Sequence, residues 1–316
     1  MKLLVTRHMT DRATAAISAR FQAEFRDAAP LTAADAAQAL RDYDAIIPTL
    51  GDRFTAEAFA GAGLRCRFLA NFGAGYNHID VAAARRAGIG VSNTPDVVTD
   101  VTADIALTLI LMVMRRASEG EAILRAGGWT GWTPTQFLGA HVTGATVGII
   151  GMGRIGKEVA RRCHLGFGMR VVFHNRSTVS SLDIPARQMP SLAETLAACD
   201  VAVVAVPGGA GTRHMIGAAE LQALGPQGYL VNIARGDVVD EAALIAALQS
   251  GAIAGAGLDV YEAEPEVPEA LRALPNTALL PHLGTATDEV RTRMGLRALD
   301  NLIAFDEGRI PADLVG

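Results

Sequence analysis

The 316-residue sequence has little of what stabilises a secreted protein, spans a membrane or attracts nucleic acid. Its three cysteines are odd in number and scattered among apolar residues, which predicts buried free thiols in a reducing cytoplasm rather than a disulfide framework. The longest apolar run, Ile105 to Met114 with Thr108 inside it, has about half the length of a membrane span. The net charge of −5 argues against a nucleic acid or an anionic membrane as the partner.

Apolar residues and glycine are what the chain has in quantity. Hydrophobic residues make up 50% of it and charged residues 19%, so we expect compact domains, and the length suits two of them. Short β-branched runs alternate with alanine-rich helical segments, a pattern typical of parallel sheets that helices cover on both faces. No group of His, Cys, Asp and Glu has the spacing of metal ligands, so no metal is predicted.

The most informative stretch is Thr146 to Ser177, which contains Gly151, Gly153 and Gly156 at G-x-G-x-x-G spacing. A short β-branched run precedes these glycines, a helical segment follows them, and a second apolar run comes after the helix. This order predicts a βαβ unit whose glycine turn and helix N-terminus bind the pyrophosphate of a dinucleotide. A glycine-rich turn that only packs is the alternative, and the strand and helix on either side disfavour it.

The residues after the second strand of this unit, His174 to Thr178, include no carboxylate. NAD sites usually carry an acid there for the ribose 2′-hydroxyl, whereas NADP sites carry an arginine and small polar groups for the 2′-phosphate. Asn175, Arg176 and Ser177 provide that second set, so the sequence predicts NADPH in preference to NADH. The alternative is that Arg176 is a solvated loop charge.

The chain as a whole predicts an α/β fold with two Rossmann-like, doubly wound parallel-sheet domains and an active-site cleft between them. Strands are expected in the first domain at Lys2–Thr6, Ala45–Pro48, Phe68–Ala70 and Ile89–Ser92. The second domain is expected to have six, a complete Rossmann sheet, at Val147–Ile150, Val171–Phe173, Asp200–Pro207, Tyr229–Ile233, Gly257–Val260 and Ala278–Leu280. Residues 1–98 with 287–316 would form a discontinuous substrate and catalytic domain, and residues 99–286 the dinucleotide-binding Rossmann domain.

Two loops outside the glycine motif are candidates for binding. The loop from Asn71 to Asn77 contains Gly73, Ala74 and Gly75, whose N–H groups would form a nest for a carboxylate, and a plain turn is the alternative. Leu50 ends the preceding strand and is expected beside that loop. Both tryptophans, Trp129 and Trp132, lie in one Gly/Pro-rich loop, which is typical of an interface or packing anchor, so we expect a contact between subunits.

Three strand ends of the second domain finish with residues suited to carbonyl reduction: Arg235, Glu264 and His282. The carboxyl ends of parallel strands converge on the cofactor crevice, so these residues can meet there. Arg235 can bind a carboxylate and polarise a carbonyl, and His282 can donate the proton. Glu264 can orient the imidazole and stabilise its protonated form. Glu262, two residues earlier, would share a face with Glu264 in an extended segment and is the alternative acid.

Several motifs, in order, resemble those of the D-isomer-specific 2-hydroxyacid dehydrogenases, most closely their glyoxylate/hydroxypyruvate reductase branch: NFGAGYNHID, VSNTPDVVTDVTADIAL, GMGRIG, NIARGDVVDE, GLDVYEAEP and PHLGTAT. The resemblance covers essentially the whole chain. It implies a homodimer, catalytic roles for Arg235, Glu264 and His282, and substrate contacts at Leu50, Gly73, Ala74, Gly75 and Trp132, the last donated by the partner subunit. Its implied cofactor contacts beyond those already given are Thr102, Arg154, Ile155, Val206, Pro207, Thr212, Ala234, Asp259 and Gly284.

The loop after Pro207 departs from the family pattern, which commonly reads Leu-Thr-Pro-Glu-Thr. Here it reads Gly208, Gly209, Ala210, Gly211 and Thr212, so that only Thr212 corresponds. His78 lies near where many relatives have asparagine, and we assign it no role.

The expected activity is NADPH-dependent reduction of small 2-oxoacids, such as glyoxylate and hydroxypyruvate, to D-2-hydroxyacids. A bulkier 2-oxoacid remains an alternative, because a single methylene changes pocket affinity by only about 1–3 kcal/mol. Another alternative is a dinucleotide-sensing interaction protein like the family's transcriptional corepressors. A formate dehydrogenase, which needs no proton transfer, is disfavoured by the context of His282.

Overall fold

The computed structural model describes all 316 residues and divides them into two compact units. Unit 1 comprises Met1–Val98 and Thr285–Gly316, and unit 2 comprises Thr99–Gly284. Each contains one parallel sheet with helices, so the predicted class of two α/β domains is confirmed. No helix is both long and apolar enough to cross a membrane.

The sheet of unit 1 has five parallel strands in the order β2-β1-β3-β4-β5. They are β1 Lys2–Val5, β2 Gln22–Phe25, β3 Ala45–Ile47, β4 Phe68–Ala70 and β5 Gly90–Ser92. The helices are α1 Asp11–Arg20, α2 Ala33–Asp42, α3 Val81–Arg86 and a C-terminal helix, Asp288–Asp306. The sequence also predicts a helix from Phe54 to Ala60, whereas the structure has only a short 3₁₀ helix there, Ala56–Phe59. Leu3, Leu4 and Val5 of β1 are all buried, because packed elements cover both faces of the sheet.

The sheet of unit 2 has seven parallel strands in the order β12-β11-β10-β9-β6-β7-β8. They are β6 Thr146–Ile150, β7 Arg170–His174, β8 Arg187–Gln188, β9 Val201–Val204, β10 Tyr229–Asn232, β11 Gly255–Leu258 and β12 Thr277–Leu279. The helices are α4 Thr99–Met114, α5 Ala117–Arg125, α6 Arg154–Phe167, α7 Leu192–Ala197, α8 Ala218–Leu224, α9 Glu241–Ser250 and α10 Glu269–Arg272. The strand order reverses beside β6, and ligands of such sheets bind at the carboxyl ends of the strands at that point.

Three details of unit 2 differ from the sequence prediction. The sheet has seven strands and not six, because the two-residue β8 pairs with β7. The long apolar segment predicts one helix from Thr99 to Ala117, but α4 ends at Met114, and Arg116 adopts a left-handed conformation (φ 53°) before α5 begins. The glycines predict a break over Gly166 to Gly168, but α6 continues to Phe167, and only Gly168 ends it, in the left-handed conformation.

The cysteines are buried and unpaired, as predicted. Burial raises the pKa of the Cys66, Cys163 and Cys199 thiols to about 12. The thiolate form, which is the reactive one, is therefore suppressed at neutral pH.

Candidate active site

The glycine motif forms the turn between β6 and α6. Gly151 has a left-handed φ of 100°, and a Cβ on it would lie 2.8 Å from Cγ1 of Val206. A Cβ on Gly156 would lie 2.1 Å from the carbonyl oxygen of Gly151, so only glycine allows this packing. A Cβ on Gly153, the N-cap residue of α6, would meet nothing within 4 Å. The N-terminus of α6 is therefore open to an anionic group such as a pyrophosphate.

The loop after β7 contains the three residues predicted to select the cofactor. Asn175 accepts a hydrogen bond at Oδ1 from the backbone N–H of Met152 (3.2 Å) and donates from Nδ2 to the carbonyl and hydroxyl oxygens of Ser177 (2.9 and 3.1 Å). Its amide therefore binds groups of the protein itself. The Arg176 side chain is exposed and makes no ion pair, which leaves its guanidinium available to a ligand.

His282 and Glu264 form a hydrogen-bonded pair at the ends of neighbouring strands. Nδ1 of His282 lies 2.9 Å from Oε2 of Glu264, and Oε1 of Glu264 accepts the backbone N–H of Tyr261 (3.0 Å). Burial alone would raise the pKa of the Glu264 carboxyl, but the hydrogen bond and charge of His282, the Tyr261 N–H and the charge of Arg235 together lower it. An ionised carboxylate only accepts, so Nδ1 carries the hydrogen and Nε2 remains for a substrate.

Backbone contacts fix the segment that carries His282. The φ of His282 is 54°, in the left-handed region, and its N–H donates to the carbonyl oxygen of Asp259 (2.9 Å). The Asp259 carboxylate accepts the N–H groups of Leu283 (2.6 Å) and Gly284 (2.8 Å), and Thr102 donates its hydroxyl to the Gly284 carbonyl (3.1 Å). Burial raises the pKa of Asp259, although the two N–H groups oppose it. Asp259 and Thr102 were predicted as cofactor contacts, and in the structure their polar atoms position the backbone after His282.

Replacing Asp259 with asparagine is expected to lower kcat/KM about tenfold. The amide cannot accept both N–H groups, and an unsatisfied buried donor costs about 1–3 kcal/mol. Asp200→Asn is the control, because its carboxylate accepts the backbone N–H of Thr146, at the amino end of β6 and so away from the carboxyl ends of the strands. Steady-state kinetics and thermal unfolding of both variants check the prediction, and an equal loss of turnover in the two would contradict it.

Arg235 follows β10, and a buried asparagine shapes its turn. Asn232 accepts the N–H of Ala234 (3.0 Å) and donates to the carbonyl of Arg235 (2.9 Å). Burial lowers the pKa of Arg235, while the charges of Glu264 and Asp237 raise it, and an arginine stays cationic at neutral pH. A Cβ on Gly208 would lie 2.6 Å from Cγ of Arg235. Glycine at this departure from the family pattern thus lets the loop pack directly on the stem of Arg235.

Glu262, the alternative acid, does not contact His282. Its Oε1 accepts from Nη2 of Arg213 (3.1 Å) and lies 2.8 Å from Nε2 of His214. Through these two contacts Glu262 connects the loop after β9 to the loop that carries Glu264. Within the loop after β9, the Thr212 hydroxyl donates to the carbonyl of Pro207 (2.8 Å).

In unit 1, the carbonyl groups of the loop after β4 accept hydrogen bonds from asparagine side chains. Nδ2 of Asn71 donates to the carbonyls of Gly73 and Gly75 (3.0 Å each), and Nδ2 of Asn93 donates to the carbonyl of Ala74 (2.7 Å). The N–H of Gly73 donates to the Asn71 carbonyl (3.1 Å), whereas the N–H groups of Ala74 and Gly75 donate to no protein group. Of the three predicted amides, two are thus available to an anion.

The turn that contains Leu50 is supported by a buried acid that sequence reasoning missed. Leu50 is 40% exposed, whereas Asp52 is fully buried. The Asp52 carboxylate accepts from the Thr6 hydroxyl (2.5 Å) and from the N–H groups of Thr49 (2.8 Å) and Leu31 (2.9 Å). No sequence signal distinguished it, because its partners come from separate turns.

Residues 117–145, which comprise α5 and the loop after it and are here called the arm, carry several large apolar side chains that are exposed. No residue of α5 is buried. Large apolar side chains in this arm are exposed to solvent: Leu124 by 60%, Trp129 by 51%, Trp132 by 78% and Leu138 by 65%. Several large exposed apolar side chains within one short segment are typical of an interaction surface.

Residues 107–284 match the model of the D-isomer specific 2-hydroxyacid dehydrogenase family, NAD binding domain, and the chain belongs to that family. The glyoxylate reductase of Thermococcus gammatolerans is 47% identical over 281 residues, which cover 87% of this chain and 84% of that protein. The glyoxylate reductase of Thermococcus onnurineus is 41% identical over 321 residues, which cover 99% of this chain and 95% of that protein. Among solved structures, the chain is similar to an NADPH-dependent glyoxylate/hydroxypyruvate reductase from Sinorhizobium meliloti in complex with NADP and malonate. The sequence identity is 37%, the TM-score is 0.88, and the match covers 100% of this chain and 96% of that one.

Proposed function

We propose that the protein reduces small 2-oxoacids, glyoxylate and hydroxypyruvate among them, to D-2-hydroxyacids with NADPH. The observation that carries this is the hydrogen-bonded His282–Glu264 pair, which follows β12 and β11, with the cationic Arg235 after the adjacent β10. The glyoxylate reductases among the relatives support the substrate class. The NADPH-dependent relative supports hydroxypyruvate and the choice of cofactor.

The residues of unit 2 fit a dinucleotide, because the N-terminus of α6 is open at Gly153 and the loop after β7 carries an unpaired Arg176. The residues that would bind it are Gly151, Gly153, Arg154, Ile155, Gly156, Asn175, Arg176, Ser177, Val206, Pro207, Thr212, Ala234, Asp259, Gly284 and Thr102. When bound, the nicotinamide supplies the hydride that reduces the keto carbon.

The protein supplies charge and a proton. Arg235 binds the substrate, because a guanidinium can form two parallel hydrogen bonds to a pair of oxygen atoms. Its positive charge polarises the keto group. His282 donates the proton from Nε2 to the keto oxygen, while Glu264, bonded to Nδ1, orients the ring. We assign the N–H groups of Ala74 and Gly75, the Gly73 backbone and Leu50 to substrate binding in unit 1.

The test is the loss of absorbance at 340 nm when the protein is mixed with glyoxylate or hydroxypyruvate, in parallel with NADPH and NADH. Turnover that is faster with NADPH is the expected result. Turnover only with NADH would support the reductase activity and contradict the proposed preference for NADPH. Absence of turnover with both cofactors would contradict the substrate class and direct the assay to bulkier 2-oxoacids.

We further propose that the arm of residues 117–145 forms a homodimer and that Trp132 reaches the substrate site of the partner subunit. Leu138→Glu is expected to shift the protein towards monomer, because it places a charge in an apolar interface. Leu165→Glu is the matched control, since Leu165 on α6 is also 65% exposed but lies outside the arm. Sedimentation velocity of the three proteins at micromolar concentration checks this, and a monomeric wild type contradicts it.

We assign this activity to the cytoplasm. The three cysteines are unpaired and buried, which suits a reducing compartment.

A further inference from the structure

One side chain of the edge strand β8 binds three backbone groups of the loop after β7, here called the 175–179 loop. Oε1 of Gln188 accepts the N–H of Val179 (3.1 Å). Its Nε2 donates to the carbonyl oxygens of Asn175 (3.2 Å) and Ser177 (3.1 Å). None of the roles assigned above involves Gln188.

The same loop is fastened on its other side to the glycine motif. Asn175 accepts the N–H of Met152, and its Nδ2 bonds Ser177. The orientation of both amides follows from the chemistry, because a backbone N–H can only donate and must therefore face the amide oxygen. Asn175 and Gln188 thus fix the path of the 175–179 loop from two directions.

We propose that Gln188 is a positioning residue for cofactor selection, which orders the 175–179 loop so that Arg176 and Ser177 meet the 2′-phosphate of NADPH. This rests on the proposed preference for NADPH. Arg176 is exposed, so a loop that is already ordered reduces the entropy lost when its side chain binds a phosphate. NADH has no 2′-phosphate, so the ordered 175–179 loop does not increase its affinity.

The experiment measures the Kd of NADPH and of NADH by fluorescence titration of the full-length protein. Gln188→Ala is expected to raise the Kd of NADPH about five- to tenfold and to change that of NADH less than about twofold. Gln188→Met is uncharged and has nearly the same length but makes none of the three hydrogen bonds, so its effect on the two Kd values should be similar. Gln249→Ala, at an exposed position of α9, is the control and should change neither constant.

An equal rise for NADPH and NADH would make Gln188 a merely structural residue and overturn the proposal, as would unchanged constants. Gln188→Met nearly conserves the volume of the side chain and adds no charge, so it tests the proposal even if the alanine variant unfolds. Binding needs no turnover, so an inactive protein leaves this result readable. The wild-type constants test the proposed NADPH preference separately: tighter binding of NADH would remove that preference whatever the variants do.

Discussion

Replacing His282 with alanine is expected to lower kcat for glyoxylate reduction about a thousandfold, within the range of general acid catalysis. The imidazole is the group placed to donate a proton, since Glu264 occupies Nδ1 and Nε2 is left for the substrate. NADPH binding should be nearly unchanged, because the glycine motif, which we propose binds the nucleotide, forms the turn between β6 and α6. Steady-state kinetics at 340 nm and fluorescence titration of NADPH measure the two quantities.

The control for this prediction is His164→Ala, in the last turn of α6 at the end away from the glycine motif, which should retain wild-type turnover. A His282→Ala variant with wild-type kcat would remove His282 from the mechanism. A parallel loss of NADPH affinity and turnover would instead mean that the substitution disturbs the segment that Asp259 fixes.

Replacing Arg176 with alanine is expected to lower kcat/KM for NADPH about thirtyfold and that for NADH less than about twofold. Hydrogen bonds to a charged group contribute about 1.5–3 kcal/mol, and about 2 kcal/mol corresponds to this factor. The ratio of the two kcat/KM values is the quantity to measure, because general damage to the site lowers both.

Arg187→Ala is the matched control, since Arg187 is also an exposed arginine and lies on β8, next to Gln188. If it changes the ratio as much as Arg176→Ala does, the selectivity arises from the local positive charge and not from a contact. Equal losses for NADPH and NADH in Arg176→Ala would show that Arg176 does not bind the 2′-phosphate.

The interior strands could be predicted from the sequence because burial on both faces leaves a continuous apolar run, as in Val201–Val204. The strands that escaped prediction, β2 and β8, lie at sheet edges and pair on one side only. Gln22 in β2 and Arg187 in β8 are exposed, so neither strand has an uninterrupted apolar pattern. Their position depends on the neighbour that each strand meets, which local sequence does not encode.

The residues of the candidate site also fall into two groups, those that the sequence identifies and those that only the structure reveals. Arg235, Glu264 and His282 could be singled out because each follows a recognisable strand, and the structure brings Glu264 and His282 into contact. Asn232 and Gln188 could not, because their function is to bind backbone groups of loops. Such contacts depend on the path of a loop, and no periodicity in the sequence predicts that path.

The buried thiols make the two units separately observable in solution. A folded chain should resist alkylating reagents, because burial removes both access and the reactive thiolate from Cys66 in unit 1 and from Cys163 and Cys199 in unit 2. Modification then requires the surrounding structure to open, so its rate at each cysteine reports the opening free energy of that region. The chain thus carries its own probes of which unit unfolds first.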